Sequence, residues 1–313
     1  MPTIAPPVRR PMRLLALLGA VLAFGAGCAA SAAPSPPADD DAARIGAGAA
    51  RAPGTDYRST ALADGRTRVS TRIRSFDGET LDLTFELPAA AGRDSLREFG
   101  IHDAELESLR AACLAAPRCE QAAFDRQTTR YYREHALRLR PVAGQVSRLS
   151  VDIAEVVRRN RARVRPVAQA LRAAAAARGR DADWTMRAAI ALVQTGLLYR
   201  RPALSEDGRQ ILGFYPPPRA LEQGYGDCDT KAALLAAILQ NLGDTPLVGV
   251  HVRRHYLLGL AATPRAGEAA ITHGGRPWVL LEAAGPAQRA PGRIADSTQA
   301  ALARGEGLRI DPL

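Results

Sequence analysis

The sequence predicts an α+β protein in which helices pack on an antiparallel sheet, behind a smaller β unit. Two Asp-Gly dipeptides, at 64–65 and 77–78, punctuate alternating runs between 57 and 87 and mark tight hairpin turns. A strongly apolar stretch over 232–242, stopped by Gly243, predicts a buried helix. Three short apolar runs follow it, at 246–252, 255–262 and 278–283, and predict strands. A helix followed by strands, without regular alternation, belongs to the α+β class.

Taken in order, residues 1–28 have the plan of a secretory leader. Arg9, Arg10 and Arg13 form a positive start, and 14–24 is an apolar run too short to span a bilayer comfortably. Gly25-Ala26-Gly27-Cys28 resembles the bacterial lipobox, which implies lipidation of Cys28 and anchoring to a membrane. Position 25 departs from that pattern, where Leu or Val is usual, and ordinary cleavage within 29–33 is the other reading. Arg9-Arg10 hints at twin-arginine export, although Pro11 fits that signal poorly. Either route places the protein in the periplasm.

Residues 29–53, rich in Ala, Pro, Ser, Asp and Gly, read as a flexible tether. The segment 54–90 is the expected three-stranded antiparallel unit. Over 91–180 a helical section is expected, with Leu96, Phe99, Leu106, Leu109, Val151, Ile153, Val156 and Val157 at helical spacing. Pro117, Pro141 and Pro166 divide it into separate helices. The third section, 181–313, opens with a helix capped by Asp181 or Asp183 and running through Trp184, Ile190, Val193 and Leu197.

The net charge of +10 raises the question of nucleic acid, but its form argues against that partner. Of the 42 basic residues only Lys231 is lysine, a bias that reads as GC-rich codon usage. Removing Arg9, Arg10 and Arg13 with the leader lowers the net charge to +7. Acidic residues are interspersed, and no aromatic-basic strip offers a stacking platform for bases.

Export also changes how the four cysteines read. Cys113 and Cys119 stand six apart without a second pair or histidines for zinc, so a disulfide is expected. With Cys28 lipidated or removed, Cys228 is left as a free thiol. It follows Asp227, a good N-cap, at the start of the apolar helix, where unpaired N–H groups and the helix dipole favour a thiolate. Gly224 and Gly226 leave room for a substrate backbone near the sulfur. A structural cysteine on a buried helix face is the alternative.

Gly226-Asp227-Cys228-Asp229-Thr230-Lys231, followed by its apolar helix, resembles the nucleophile motif of the transglutaminase-like superfamily, relatives of the papain-type cysteine proteases. The likeness extends to Val193-Gln194-Thr195-Gly196-Leu197-Leu198-Tyr199, His255-Tyr256-Leu257-Leu258-Gly259 and Val279-Leu280-Leu281-Glu282-Ala283, covering about 183–290. The resemblance implies a papain-like core with Cys228 as nucleophile, His255 as base and Glu282 as the acid that orients the histidine. His251 could replace His255 as base, but Arg253-Arg254 looks like a turn between them. His273 reads as a hairpin tip, and His102 and His135 as surface residues. Gln194 and Tyr225 are candidates to bind an oxyanion beside the Cys228 N–H. Asp227, Asp229 and Lys231 are read as site architecture, the Lys231 ammonium packing near one of the two carboxylates. A zinc site from Cys228, His251 and His255 lacks a fourth ligand, and no metal or organic cofactor is implied.

The expected activity is cysteine-dependent acyl transfer on amide bonds of envelope proteins or peptides, with hydrolysis favoured over crosslinking. A non-catalytic envelope binding module of the same fold is the alternative, as is a helical section that does the work while the enzyme domain assists.

Overall fold

The computed structural model describes residues 52–116, 118–142 and 145–313. The leader with Cys28, the tether up to residue 51, and Pro117 lie outside the described residues.

Period-two patterning builds the first unit as expected. β1 (Asp56–Ala61), β2 (Thr67–Arg74) and β3 (Thr80–Leu87) form an antiparallel sheet in that order. Val69, Thr71 and Ile73 on β2 face inward with Leu81, Leu83 and Phe85 on β3. The intervening residues pair on the outer face, Arg72 with Asp82 at 2.8 Å and Arg68 with Glu86 at 2.9 Å. Gly65 and Gly78 take φ of +82° and +81°, the left-handed backbone that the two Asp-Gly turns require.

The section 91–180 is helical only in part. α1 (Ala91–Arg97), β4 (Ile101–His102), α2 (Asp103–Ala115) and α3 (Gln121–Glu134) come first, and the expected Cys113–Cys119 disulfide is formed. Then β5 (Leu137–Val142) and β6 (Gln145–Val151) form an antiparallel hairpin where helix was expected. Leu137-Arg138-Leu139-Arg140 is strict alternation, which suits a strand. Pro141 therefore lies within β5, and Val151 closes β6 instead of joining the next helix. α4 (Ile153–Asn160) is capped by Asp152, which accepts from the Glu155 N–H at 3.2 Å. α5 (Arg165–Ala176) carries Pro166 in its first turn, where a missing N–H costs nothing.

His102 and His135 are not simple surface residues. His135 is only 16% exposed, its Nδ1 lying 2.9 Å from the Tyr131 carbonyl and its Nε2 3.4 Å from Glu105. His102 joins β4 and is partly buried.

α6 (Ala182–Ala191) is capped by Asp181, which accepts from the Trp184 N–H at 2.8 Å. Residues 192–196 continue it as a widened π-helical turn. The short strands β7 (Leu198–Tyr199), β8 (Ser205–Glu206) and β9 (Arg209–Gln210) lead to α7 (Pro217–Gln223), β10 (Tyr225–Gly226) and α8 (Cys228–Leu242). α8 ends where expected, although Gly243 is extended and not left-handed. Beyond it come β11 (Leu247–Val252), β12 (His255–Ala261), β13 (Ala270–His273), β14 (Arg276–Leu281), α9 (Asp296–Ala303) and β15 (Arg309–Pro312). They form one antiparallel sheet in the order β13-β14-β12-β11-β15, with α9 outside the ladder. The three predicted strands are β11, β12 and β14; β13, β15 and α9 carry no signal strong enough to have been predicted.

Every residue of α8 from Thr230 to Leu239 is buried. Such a helix is surrounded on all sides; here α4, α5, α6, α7 and β12 surround it. One core runs from the inner face of β2 and β3 through these helices to Leu258 and Leu260 of β12. A smaller core on the sheet's other face joins Val248, Val250, Leu257 and Leu280 to Ile294 and Ala301. Among the described residues no helix is long and apolar enough to cross a membrane.

Leu235 is fully buried at the centre of α8. Leu235→Ala should lower the unfolding free energy by about 2–5 kcal/mol in denaturant titrations, the range for a cavity in a packed core.

Candidate active site

α8 begins at Cys228, so the thiol stands in the first turn, over amides that have no partner within the helix. Thr230 is fully buried and anchors that turn: its N–H goes to Asp229 Oδ1 at 2.9 Å and its Oγ1 accepts from the Tyr215 N–H at 3.2 Å. A Cβ on Gly226 would stand 2.4 Å from Thr230 Cγ2, so only glycine allows β10 to enter the helix this tightly. Asp227 occupies the N-cap position without making the capping bond. Its Oδ1 is buried and has no hydrogen-bond partner among the described residues.

His255 opens β12 directly after the Arg253-Arg254 turn. Its Nε2 lies 3.1 and 2.9 Å from the two oxygens of Glu282, which follows β14. Glu282 is 4% exposed, and its Oε1 also accepts from the Ala284 N–H at 2.9 Å. With Nε2 engaged by the carboxylate, Nδ1 is the ring nitrogen left for the thiol of Cys228, with which His255 interacts. Cys228, His255 and Glu282 are thus brought together from the end of one helix and the ends of two neighbouring strands.

Four electrostatic shifts describe the site. Burial alone would keep Glu282 protonated, but its bond to His255 and the histidine's charge hold it below the ordinary carboxylate value. Burial likewise disfavours imidazolium at His255, yet its bonds to Cys228 and Glu282 carry it up to about 10. The Cys228 thiol moves against the expectation of a lowered value: burial pushes it up, His255 pulls it down, and Asp229 and Asp227 push it up again. Burial holds Asp229 far above the usual carboxylate range, helped by the charge of Asp227 and a hydrogen bond to it. Asp229 and Asp227 thus form a hydrogen-bonded carboxyl pair beside the thiol.

Lys231 is carried inward and is fully buried. Its Nζ donates to the carbonyls of Gln194 at 3.2 Å, Leu197 at 3.1 Å and Ala284. The expectation placed it beside Asp227 or Asp229; its role is to tie α8 to the π-turn and to the segment after β14. Three carbonyls converging on a point suit an ammonium with three donors and not a planar guanidinium, which accounts for one lysine among 41 arginines.

The two candidates for oxyanion binding are otherwise engaged. Gln194 is fully buried; its Nε2 donates to the carbonyls of Glu282 at 2.7 Å and Arg289 at 2.9 Å, and its Oε1 accepts from the Arg289 N–H. The Tyr225 hydroxyl lies 3.0 Å from that of Tyr215, which in turn meets the Glu206 carboxylate. Either hydroxyl of this pair can be the donor, and the Tyr225 phenol is engaged by Tyr215.

The phenol that meets the sulfur is Tyr199, which carries no assigned role in the sequence reading. β7 pairs with β10 in parallel, setting Tyr199 beside Gly226. Burial first, then the charges of Cys228 and Asp227 and a hydrogen bond to Cys228, push its pKa up, so the hydroxyl keeps its proton as a donor. Its signal in the sequence is its place in a strand directly after α6.

His251 is not part of this group: its ring packs edge-on against Tyr256 at 4.5 Å and its Nε2 lies 3.5 Å from Asp311. His273 is exposed at the turn between β13 and β14. Among the described residues no cluster of three or more His, Cys, Asp or Glu side chains is arranged to hold a metal ion.

The comparisons with known proteins return no match: no family model, curated protein or solved structure is similar to the chain.

Two outcomes follow. Lys231→Met and Lys231→Arg should both lower stability in denaturant titrations, by about 1–3 kcal/mol for each carbonyl left without a donor. His255 has its folded value raised from 6.5 to about 10, so its contribution to stability is complete below about 6.5 and disappears as pH rises through about 10. Glu282 has a lowered value, so its contribution is present above the ordinary 4.5 and disappears as pH falls through that lowered value. The stability difference between the native chain and Glu282→Gln should therefore be largest between those limits and shrink toward both ends of a pH series.

Proposed function

We propose that the protein is a cysteine-dependent acyltransferase with a transglutaminase-like, papain-like core, and that it attacks amide bonds of proteins or peptides in the cell envelope. The observation that carries this reading is His255 held between the Cys228 thiol and the buried Glu282 carboxylate. A buried acid that fixes one ring nitrogen, with the other left for a thiol, is the arrangement that nucleophilic catalysis by cysteine requires. The envelope setting rests on the leader and on the Cys113–Cys119 disulfide, which suits an oxidising compartment.

With His255 an imidazolium and Cys228 a thiol at neutral pH, the first step is loss of the thiol proton to water. The thiolate then adds to the amide carbonyl. The Cys228 N–H and the Tyr199 hydroxyl are the donors beside the sulfur for the resulting oxyanion. When the carbon–nitrogen bond breaks, His255 gives its proton to the leaving amine, and the acyl group remains as a thioester. Neutral His255 then takes a proton from water as that water attacks the thioester, releasing the acid and the thiolate. An amine in place of water would give crosslinking; hydrolysis is the outcome proposed here. A thiolate of raised pKa is scarcer but intrinsically more nucleophilic, so burial need not oppose the reaction.

The test is incubation of the purified protein with envelope proteins, followed by mass spectrometry for new chain ends and for isopeptide bonds. New ends that vanish with Cys228→Ala support hydrolysis; none above the Cys228→Ala background in either class contradicts the reading. Cys228→Ala should keep its unfolding free energy within about 1 kcal/mol of the native value. Tyr199→Phe should slow turnover by tenfold or more, the order expected for loss of one oxyanion donor.

A further inference from the structure

At the His255 end of the large sheet, β11 and β15 meet β5 of the neighbouring hairpin, and the three strands contribute residues to one cluster. Arg138 and Arg140 lie two apart on β5, Arg309 and Asp311 two apart on β15, and His251 pairs with Arg309 across β11. All converge on the buried Asp311 carboxylate: Arg138 Nη2 and Arg140 Nη2 at 3.0 Å, His251 Nε2 at 3.5 Å and Arg309 Nε at 3.8 Å.

The donors outnumber what one carboxylate can accept. Two oxygens offer about four lone-pair sites, whereas each guanidinium brings five N–H donors. Arg140 uses Nε on Ser150 at 3.0 Å and Nη2 on both Asp311 oxygens. Arg138 Nε and Nη2 are buried and have no hydrogen-bond partner among the described residues, Nη2 being close to Asp311 but misaligned. Three positive charges thus face one negative charge. Burial, and then the charges of Arg140 and Arg138, lower the pKa of Arg309, as expected where cations crowd one another. Burial and the charge of Arg309 push His251 down to about 4, so it is neutral at pH 7 and adds no charge. Arg138, Arg140 and Arg309 are 28%, 22% and 41% exposed, so an anion can reach them from solvent.

We propose that Arg138, Arg140 and Arg309 form a subsite for a second carboxylate, one carried by the substrate. This rests on the reading of Cys228 and His255 as the reacting pair, and it names the substrate class: an amide with a carboxylate a few residues from the bond attacked. His251 of β11 pairs with Tyr256 of β12, the neighbour of His255, and with Arg309 of β15, so the cluster shares the face of the sheet on which α8 packs. At about 4.8 Å between strands, the cluster lies ~10 Å from the histidine's strand, a reach of about three extended residues. An acidic side chain and a free chain end present the same group at that reach.

The test uses the full protein and paired peptide probes that alkylate Cys228, the sulfur displacing iodide and losing its proton. Iodoacetyl-Gly-Glu-amide against iodoacetyl-Gly-Gln-amide reads a side-chain carboxylate; iodoacetyl-Gly-Ala acid against its amide reads a chain end. In at least one pair the acid should react about tenfold faster, the scale of one charge-assisted hydrogen bond. That ratio should approach one in Arg138→Gln and Arg309→Gln, each compared within its own variant, and should shrink as salt is added. Equal rates in both pairs, or a ratio that neither substitution moves, would overturn the subsite. A neutral probe whose rate ignores His255→Ala would instead count against the Cys-His pairing and leave the acid-to-amide ratio still readable. Should Cys228 resist every probe, calorimetry with acetyl-Gly-Glu-amide and acetyl-Gly-Gln-amide decides: tighter binding of the acid, lost in Arg309→Gln, supports the subsite, and equal binding refutes it.

Discussion

The geometry of the candidate site depends on one buried amine. Lys231 sits one turn into α8 and bonds to carbonyls at the end of the π-turn and just past β14. The thiol belongs to the first of these elements and Glu282 to the last, so a single side chain sets their spacing. Gln194 reinforces the tie by bonding to the Glu282 carbonyl from the π-turn. Gly285 belongs to the same joint: a Cβ there would stand 1.9 Å from the Gln194 carbonyl, so this segment can close on the turn only with glycine. The fold thus brings together two catalytic candidates 54 positions apart in sequence through backbone carbonyls, which leave the carboxylate free for His255.

Burial then governs the chemistry of what has been brought together. The same desolvation that raises the thiol also strengthens the His255–Glu282 contact, because charge interactions grow as water is excluded. The charges of Asp229 and Asp227 weigh against a resting thiolate. The site therefore rests as thiol and imidazolium, holding the acid proton that a leaving amine needs. On the adjoining edge of the sheet, excess positive charge on Arg138, Arg140 and Arg309 is set where a bound carboxylate would relieve it.

Local patterns were legible in the sequence where one physical effect dominates. Asp-Gly turns and alternation marked β1 to β3, unbroken apolarity marked α8, and the spacing of Cys113 and Cys119 marked a bridge. Misreadings came where long-range packing decides. Flanking helical spacing masks the Leu-Arg alternation of 137–140, so the pattern of 91–180 predicts helix where β5 and β6 form. The site residues were legible as residue types: Cys228 by its place at a helix start, His255 and Glu282 only through resemblance. The partners of Lys231, Gln194 and Tyr225 depend on carbonyls and hydroxyls brought in from distant segments, which no local pattern encodes. Tyr199 became visible only through the parallel pairing of β7 with β10. The thiol shifts opposite to the sequence expectation because the helix dipole is readable in sequence and burial is not.

The proposed chemistry requires that His255 act on the Cys228 thiol. The direct measurement is the rate of Cys228 alkylation by iodoacetamide as a function of pH, in the native chain and in His255→Ala. The midpoint should lie above the ordinary thiol value of 9.0 in the native chain and rise further in the variant, because His255 pulls the thiol down. Superimposable profiles would show that histidine and thiol do not communicate, and would contradict that chemistry.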